Sequence, residues 1–416
     1  MPELWAGIDA GKAHHHCVLI DDEGNRLLSR RVANDEAALT ALLTDVLALA
    51  AGREILWATD LNRGGAALLI GVLEAHQQAL VYIPGRSVYH ASRTYRGDGK
   101  TDAKDAAIIA DQARMRRDLQ PIRSGDQIST DLRLLISRRT DLVCDRTRAI
   151  NRLCAVLLEY FPALEAAFDY AMLKAAVVLL TKYTTPAGIR RAGESRIADW
   201  LRNQGCYNAK SIASRAVAAA HAQHTTVQAQ EVGSDLVAAL ARTVMDLHAQ
   251  VTDVEKQIET RFRQHQHAEI LLSMPGFGTL LASEFLAATG GDITAYESAA
   301  RLAGVAGLAP VPRDSGRISG NFHRPKRYDR QLLNAFYLAA QSAARYCPQS
   351  RTYYQRKRSE GKNHNKPSYP SPDAASTSSG PCSVTGLRIN NPWSKSFNPR
   401  ARTRLQPSLQ WESPRL

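Results

Sequence analysis

Four aspartates in the first quarter of the chain have the type and spacing for metal-assisted chemistry: Asp9 in WAGIDAGK, Asp60 in ILWATD, and Asp102 with Asp105 in GDGKTDAKDA. The first two close short apolar runs, and the last two stand i, i+3 on a helical stretch, so a fold can bring all four together. Carboxylates that converge with no obvious cationic partner suit hard divalent ions. Two such ions about 4 Å apart serve the attacking and the leaving oxygen of a phosphodiester. Taken singly the residues have plainer roles: Asp102 and Asp105 are acids of a helical first turn, favoured there by the helix dipole. Gly7 and Gly11 beside Asp9 add little, since lone glycines flanking strands are common.

The elements that must position these side chains are legible from hydrophobic periodicity. Leu4 to Ile8, Cys17 to Ile20 and Arg26 to Val32 read as three strands, the last two joined by the polar turn Asp21 to Asn25. Asn34 is placed as the cap of an amphipathic helix through Ala50, Glu54 to Thr59 as a fourth strand, Gly65 to His76 as a second helix, and Ala79 to Ile83 as a fifth strand. Thr101 is a good N-cap for a helix beginning at Asp102. Three hairpin-connected strands before the first crossover point to a ribonuclease H-like mixed sheet; a doubly wound nucleotide fold places a helix after the first strand. Asp9 and Asp60 then end neighbouring strands, about 4.8 Å apart in the pairing direction.

Beyond residue 122 the pattern is helical. Gln127 to Tyr160 reads as one basic helix, with Arg138, Arg139, Arg146, Arg148 and Arg152 off its apolar face. A second long helix, Asp235 to about His265, spaces Leu240, Val244, Leu247, Val251, Val254 and Ile258 as a heptad seam, open to antiparallel pairing within the chain or to dimerisation. Residues 163–230 are helical and Ala-rich without a chemical signal. The turn Ser273 to Thr279, SMPGFGT, reads equally as a phosphate-holding helix-hairpin-helix and as a tight helix connection. After Lys366 composition changes: eight of the 18 prolines fall in the last 51 residues, among Ser, Asn and Arg, a composition too polar to order itself.

Charge narrows the partner. Lys and Arg number 53 against 40 Asp and Glu, a net +13, which points to a polyanion such as nucleic acid. The six cysteines, without CxxC spacing, signal neither a disulfide framework nor a zinc site and fit a reducing cytoplasm. No basic leader or 18-residue uncharged apolar run is present, so secretion and membrane spanning are not expected. His14, His15 and His16 are consecutive on a strand, point to alternate faces and converge poorly on a metal.

GIDAGK, the strand-end Asp60 and RGDGKTDAKDA resemble the RuvC-like domain of DEDD insertion-sequence transposases, the RNA-guided bridge recombinases. The resemblance continues through LAGVAGLAP (302–310) and Asp314-Ser315-Gly316, which look like that family's C-terminal transposase domain, and spans about residues 4–365. It implies Asp9, Asp60, Asp102 and Asp105 as ligands of Mg²⁺, two ions in all, and Ser315 as a nucleophile at the same DNA phosphate. By pattern alone Ser315 is a turn serine, with Ser319 as its local competitor. The basic residues that follow it (Arg317, His323, Arg324, Lys326, Arg327, Arg330) suit phosphate contact or a solvated loop.

The resemblance further implies double-stranded DNA partners (element ends and target), an element-encoded guide RNA, a homo-oligomer and a nucleoid-associated cytoplasmic location. The expected organisation is a RuvC-like catalytic domain over 1–122, a helical coiled-coil region over 123–267, a serine-bearing, mostly helical transposase domain over 268–365, and a disordered tail over 366–416. Two departures stand out: the family carries glutamate where this chain has Asp60, and the Arg- and Ala-rich helix that follows GKNH in the family is replaced by the Pro/Ser-rich tail, as a frameshift would produce. Rival readings are a RuvC-like hydrolytic nuclease of the junction-resolving kind and an inactive nucleic-acid-binding relic.

Overall fold

The computed structural model describes residues 2–95, 99, 101–122, 126–291, 296, 298–316, 319–323 and 325–361. The tail over 366–416 and the basic positions Arg317 and Arg324 lie outside the described residues. Contacts divide the chain into two units, Met1–Ser124 and Gly125–Leu416.

The first unit is built on β1 (Leu4–Ala10), β2 (His14–Ile20), β3 (Arg26–Ala33), α1 (Glu36–Ala50), β4 (Ile55–Thr59), α2 (Ala67–Ala75), β5 (Ala79–Tyr82), α3 (Gly85–Ser92), α4 (Asp102–Met115) and the two-residue β6 (Gln120–Pro121). The sheet order is β3-β2-β1-β4-β5-β6. β1, β2 and β3 pair antiparallel as successive hairpins, whereas β4 and β5 run parallel to β1. This is the expected mixed sheet, with three hairpin strands before the first crossover. Alternation along the strands sorts the core. Leu4, Ala6 and Ile8 pack with Leu39, Leu42 and Leu73 of α1 and α2 on one face, and Trp5, Val18 and Ala58 pack with Ile108, Ile109 and Ala110 of α4 on the other.

Two local expectations change. The cap of α1 is Asp35, whose carboxylate accepts from Ala38 N–H at 2.9 Å; Asn34 lies one residue earlier and bonds elsewhere. Gly65 belongs to a 3₁₀ turn, Gly64–Ala66, and the second helix proper begins at Ala67. The Thr101 cap is as expected, its hydroxyl accepting from Lys104 N–H at 3.2 Å.

In the second unit, α5 (Gln127–Tyr160) is followed by α6 (Pro162–Ala167), α7 (Lys174–Leu180), α8 (Pro186–Asn203), α9 (Ala209–His221) and α10 (Gln230–Arg263). Then come α11 (Ala268–Leu272), α12 (Thr279–Thr289), α13 (Ala299–Val305), the hairpin β7 (Val311–Pro312) and β8 (Phe322–His323), α14 (Arg330–Tyr346) and α15 (Pro348–Ser359). α5 and α10 pair antiparallel within the chain: Asp131 meets Arg261 at 2.6 Å, Arg139 meets Glu255 at 2.7 Å, and Arg146 meets His248 at 3.4 Å. Val244, Val251 and Ile258 of the heptad seam are buried along that pairing. Part of the basic face of α5 is thus spent on its partner helix. Residues 163–230 gain a role here: α7 to α9 wrap the far end of the pair, burying Leu153, Leu157, Leu179, Ile212 and Val237 in one core. The near end, through Leu132, Ile136, Ile258 and Phe262, shares a second core with Phe277, Phe285 and Phe336. Segments 123–267 and 268–365 therefore hold a core in common.

Candidate active site

The first unit gathers the four aspartates through its sheet register. Ile8 of β1 is paired with Thr59 of β4, so Asp9 and Asp60, the next residues, emerge side by side at the carboxyl ends of parallel central strands. The backbone N–H of Ala10 donates to Asp60 Oδ1 at 3.2 Å, fixing one carboxylate to the strand that carries the other. Asp9 falls on the sheet face covered by α4, the same parity as Trp5 and Gly7.

Gly7 is what lets α4 reach this site. A Cβ there would lie 2.2 Å from Ala106 O and 2.3 Å from Ala110 N, so the helix backbone rests directly on β1. With Ala106 and Ala110 over Gly7, the first turn of α4, carrying Asp102 and Asp105, comes to the Asp9 end of the strand. Reading Gly7 as a common strand glycine missed this, because its neighbours lie about a hundred residues away in sequence.

All four aspartates line one open cleft of about 510 Å³. Asp60 is half-buried, and its carboxyl is pushed above the usual range, first by burial and further by the negative charge of Asp105, against the lowering effect of the Ala10 N–H. Lys104, Arg93 and Tyr89 line the same cleft, so the expectation of no cationic partner is corrected. Arg93 lies 5.1 Å over the Tyr89 ring and donates to its hydroxyl at 2.9 Å, presenting a cation on an exposed aromatic face. Tyr95, also in the wall, donates its hydroxyl to Asp111; burial and that bond push the phenol up to about 12. It is a neutral, fixed wall. The only sequence signal for these groups was the mixed Tyr and Arg content of 89–95.

Among the described residues, no three His, Cys, Asp or Glu side chains stand close enough to hold one metal ion. The described lining residues nevertheless offer oxygen, from the four aspartates and the Tyr89, Ser92 and Tyr95 hydroxyls, with no imidazole or sulfur among them, and the aspartates outnumber Arg93 and Lys104. Both observations suit a hard divalent cation and neither suits a soft one. The three histidines diverge as expected: His14 is exposed beside Arg31, His15 is buried, and His16 sits opposite Asp9 in register. Burial lowers the His16 imidazole, while the charge of Asp102 raises it.

Ser315 stands in the second unit, exposed in the loop of the β7-β8 hairpin. Arg313 N–H donates to Asn321 O at 2.8 Å and Asn321 N–H to Asp314 Oδ1 at 3.0 Å, closing the hairpin just before the serine. Ser319 is exposed in the same loop. The PGFG turn is a tight connection: Gly276 has φ +83°, and a Cβ there would lie 2.0 Å from Ala339 O of α14. Its backbone is pressed against a helix.

Comparison with known proteins adds a family. Residues 6–162 match a transposase family model, and residues 268–355 match the model of the transposase IS116/IS110/IS902 family. The chain is 60% identical over 361 residues to the insertion element IS900 uncharacterized 42 kDa protein of Mycobacterium paratuberculosis, covering 87% of this chain and 90% of that protein. It is 46% identical over 361 residues to the insertion element IS116 uncharacterized 44.8 kDa protein of Streptomyces clavuligerus, with 87% and 90% covered. Identity to the insertion element IS110 uncharacterized 43.6 kDa protein of Streptomyces coelicolor is 34% over 363 residues, with 87% and 89% covered.

Proposed function

The chain belongs to the IS116/IS110/IS902 family of transposases, and from that premise we propose that it cuts and rejoins DNA strands by phosphodiester exchange, with Asp9, Asp60, Asp102 and Asp105 as Mg²⁺ ligands and Ser315 as the nucleophile. The observation that carries the reading is the shared cleft: four carboxylates distant in sequence line one opening on a mixed sheet. Mg²⁺ bound there, as two ions, supplies charge neutralisation at a phosphate and at the oxygens entering and leaving it.

The side chains divide the work. Asp60, held by Ala10 N–H, and Asp9 beside it form the strand-borne half of the donor set; Asp102 and Asp105 form the helix-borne half. Lys104 and Arg93 offset the repulsion a DNA backbone meets at an acidic cleft, and Tyr89 offers a flat face to a base. Ser315 Oγ replaces one bridging oxygen of the phosphodiester. The O–P bond to serine forms as the bond to the departing deoxyribose oxygen breaks, and the serine proton leaves on the released hydroxyl. Attack by a hydroxyl of a second DNA end reverses the step and returns the serine, so no nucleotide triphosphate is consumed. The antiparallel α5-α10 pair is read as an intramolecular coiled coil. A guide RNA, a homo-oligomer and two DNA duplexes complete the proposed assembly.

The test is covalent capture. Protein, element-encoded RNA, target DNA and Mg²⁺ are mixed, and a denaturation-resistant protein-DNA adduct is expected that Ser315→Ala abolishes. An adduct that survives Ser315→Ala removes the serine assignment. Free 5′-phosphate ends with no adduct identify the hydrolytic nuclease instead, and DNA binding without cleavage, indifferent to Asp9→Ala, identifies an inactive relic.

A further inference from the structure

Two segments carry the strand-borne carboxylates, Asp9 to Lys12 and Asp60 to Gly65, and one side chain bonds to both. Asn34, between β3 and α1, donates from Nδ2 to Lys12 O at 3.1 Å and to Gly65 O at 3.0 Å. Its own backbone N–H donates to Ala13 O at 2.9 Å, which seats the residue against the β1-β2 turn. His15, only 1% exposed and opposite Ala10 in register, accepts at Nδ1 from Gly11 N–H at 3.2 Å.

That bond fixes the tautomer: the proton of a neutral imidazole is on Nε2. His15 Nε2 and Asn34 Oδ1 are both buried and neither has a partner at ordinary hydrogen-bond geometry. The two are complementary in type, a donor Nε2–H and an acceptor Oδ1. The amide N–H bonds of Asn34 are spent on carbonyls of separate segments, and a flipped amide would set its oxygen against both of them. A buried polar network of this kind fixes a single arrangement because each alternative strands a donor or acceptor.

We propose that Asn34 and His15 are positioning residues, tying the carboxyl ends of β1 and β4 so that Asp9 and Asp60 keep the spacing a divalent cation requires. This rests on the reading of those aspartates as metal ligands. Groups that orient ligands through such bonds control metal affinity as strongly as they control structure.

The experiment uses the full chain and Mg²⁺ alone. The variants are Asn34→Ala, His15→Phe, the ligand variant Asp9→Asn, and Asp35→Ala, which removes the neighbouring helix cap without touching the tie. The concentration of Mg²⁺ that half-saturates the metal-induced rise in unfolding temperature should increase about 10-fold in Asn34→Ala and His15→Phe. Asp35→Ala should lower stability and leave that concentration unchanged. Hydrogen exchange at residues 10–13 and 62–66 should quicken together in Asn34→Ala and not in Asp35→Ala. A folded Asn34→Ala with unchanged Mg²⁺ half-saturation, in a wild type that does respond, overturns the positioning role alone. A wild type that responds no more than Asp9→Asn overturns the metal reading and the positioning role with it.

Discussion

Asp60 shows how the site spends stability on function. Its carboxyl is raised above the ordinary value of 3.8 chiefly by burial, then by Asp105. A folded-state value above the unfolded one means that ionised Asp60 costs stability at neutral pH, and the cost is relieved as pH falls through the folded value. Asp60→Asn keeps the oxygen that accepts from Ala10 N–H and removes the charge. In metal-free buffer it is expected to raise the pH 7 unfolding midpoint, an advantage that disappears as pH falls below the unfolded value of 3.8, while Mg²⁺-dependent strand cleavage is lost. Thermal scans at several pH values check the first part and a cleavage assay the second. Arg93 and Lys104 belong to the same scale: Arg93→Ala and Lys104→Ala should each weaken DNA binding across sequences and reduce the slope of log affinity against log salt by about one. These two cations were not legible in the sequence as site residues. Nothing local marks an Arg or Lys as facing a carboxylate cleft, whereas Asp9 and Asp60 stand out by ending apolar strands.

At the scale of elements, the site depends on where α4 begins and how closely it approaches β1. The start is local chemistry, the Thr101 hydroxyl on Lys104 N–H, and Thr101→Ala should cost about 1 kcal/mol in urea unfolding while loosening the turn that carries Asp102 and Asp105. The approach is not local. Gly7→Ala places a methyl group against the Ala106 carbonyl and the Ala110 amide, and is expected to cost about 1–3 kcal/mol and to lower cleavage more than Thr101→Ala does, since α4 must lift from the strand. Unfolding curves and cleavage rates for the pair of variants rank the two effects. Capping and strand periodicity could be read directly because a residue and its partner lie within four positions. Asn34 shows the limit of that method: it has cap chemistry and sits where a cap is needed, yet Asp35 takes the cap and Asn34 spends its amide on Lys12 and Gly65.

At the scale of the whole molecule, a net charge of +13 favours a polyanionic partner, and binding to it is expected to be salt-sensitive. Affinity for an unrelated DNA duplex should fall at least about 100-fold between 50 and 200 mM salt, as fluorescence anisotropy would measure. Among the described residues no helix is long and apolar enough to cross a membrane. The heptad seam of α10 was visible as a pattern, but a pattern of apolar spacing is equally satisfied by a second copy or by a distant helix. Arg139 with Glu255 and Asp131 with Arg261 decide for α5, a choice made by packing across more than a hundred residues. Residue type and short-range spacing were enough to read the mixed sheet, the Thr101 cap, the basic charge and the four candidate carboxylates. That these carboxylates line one cleft, that Gly7 admits the helix bearing two of them, and that Asn34 bonds both to Lys12 and to Gly65 is visible only in three dimensions. Close approach and shared hydrogen bonds depend on three-dimensional neighbours, which separation along the chain does not encode.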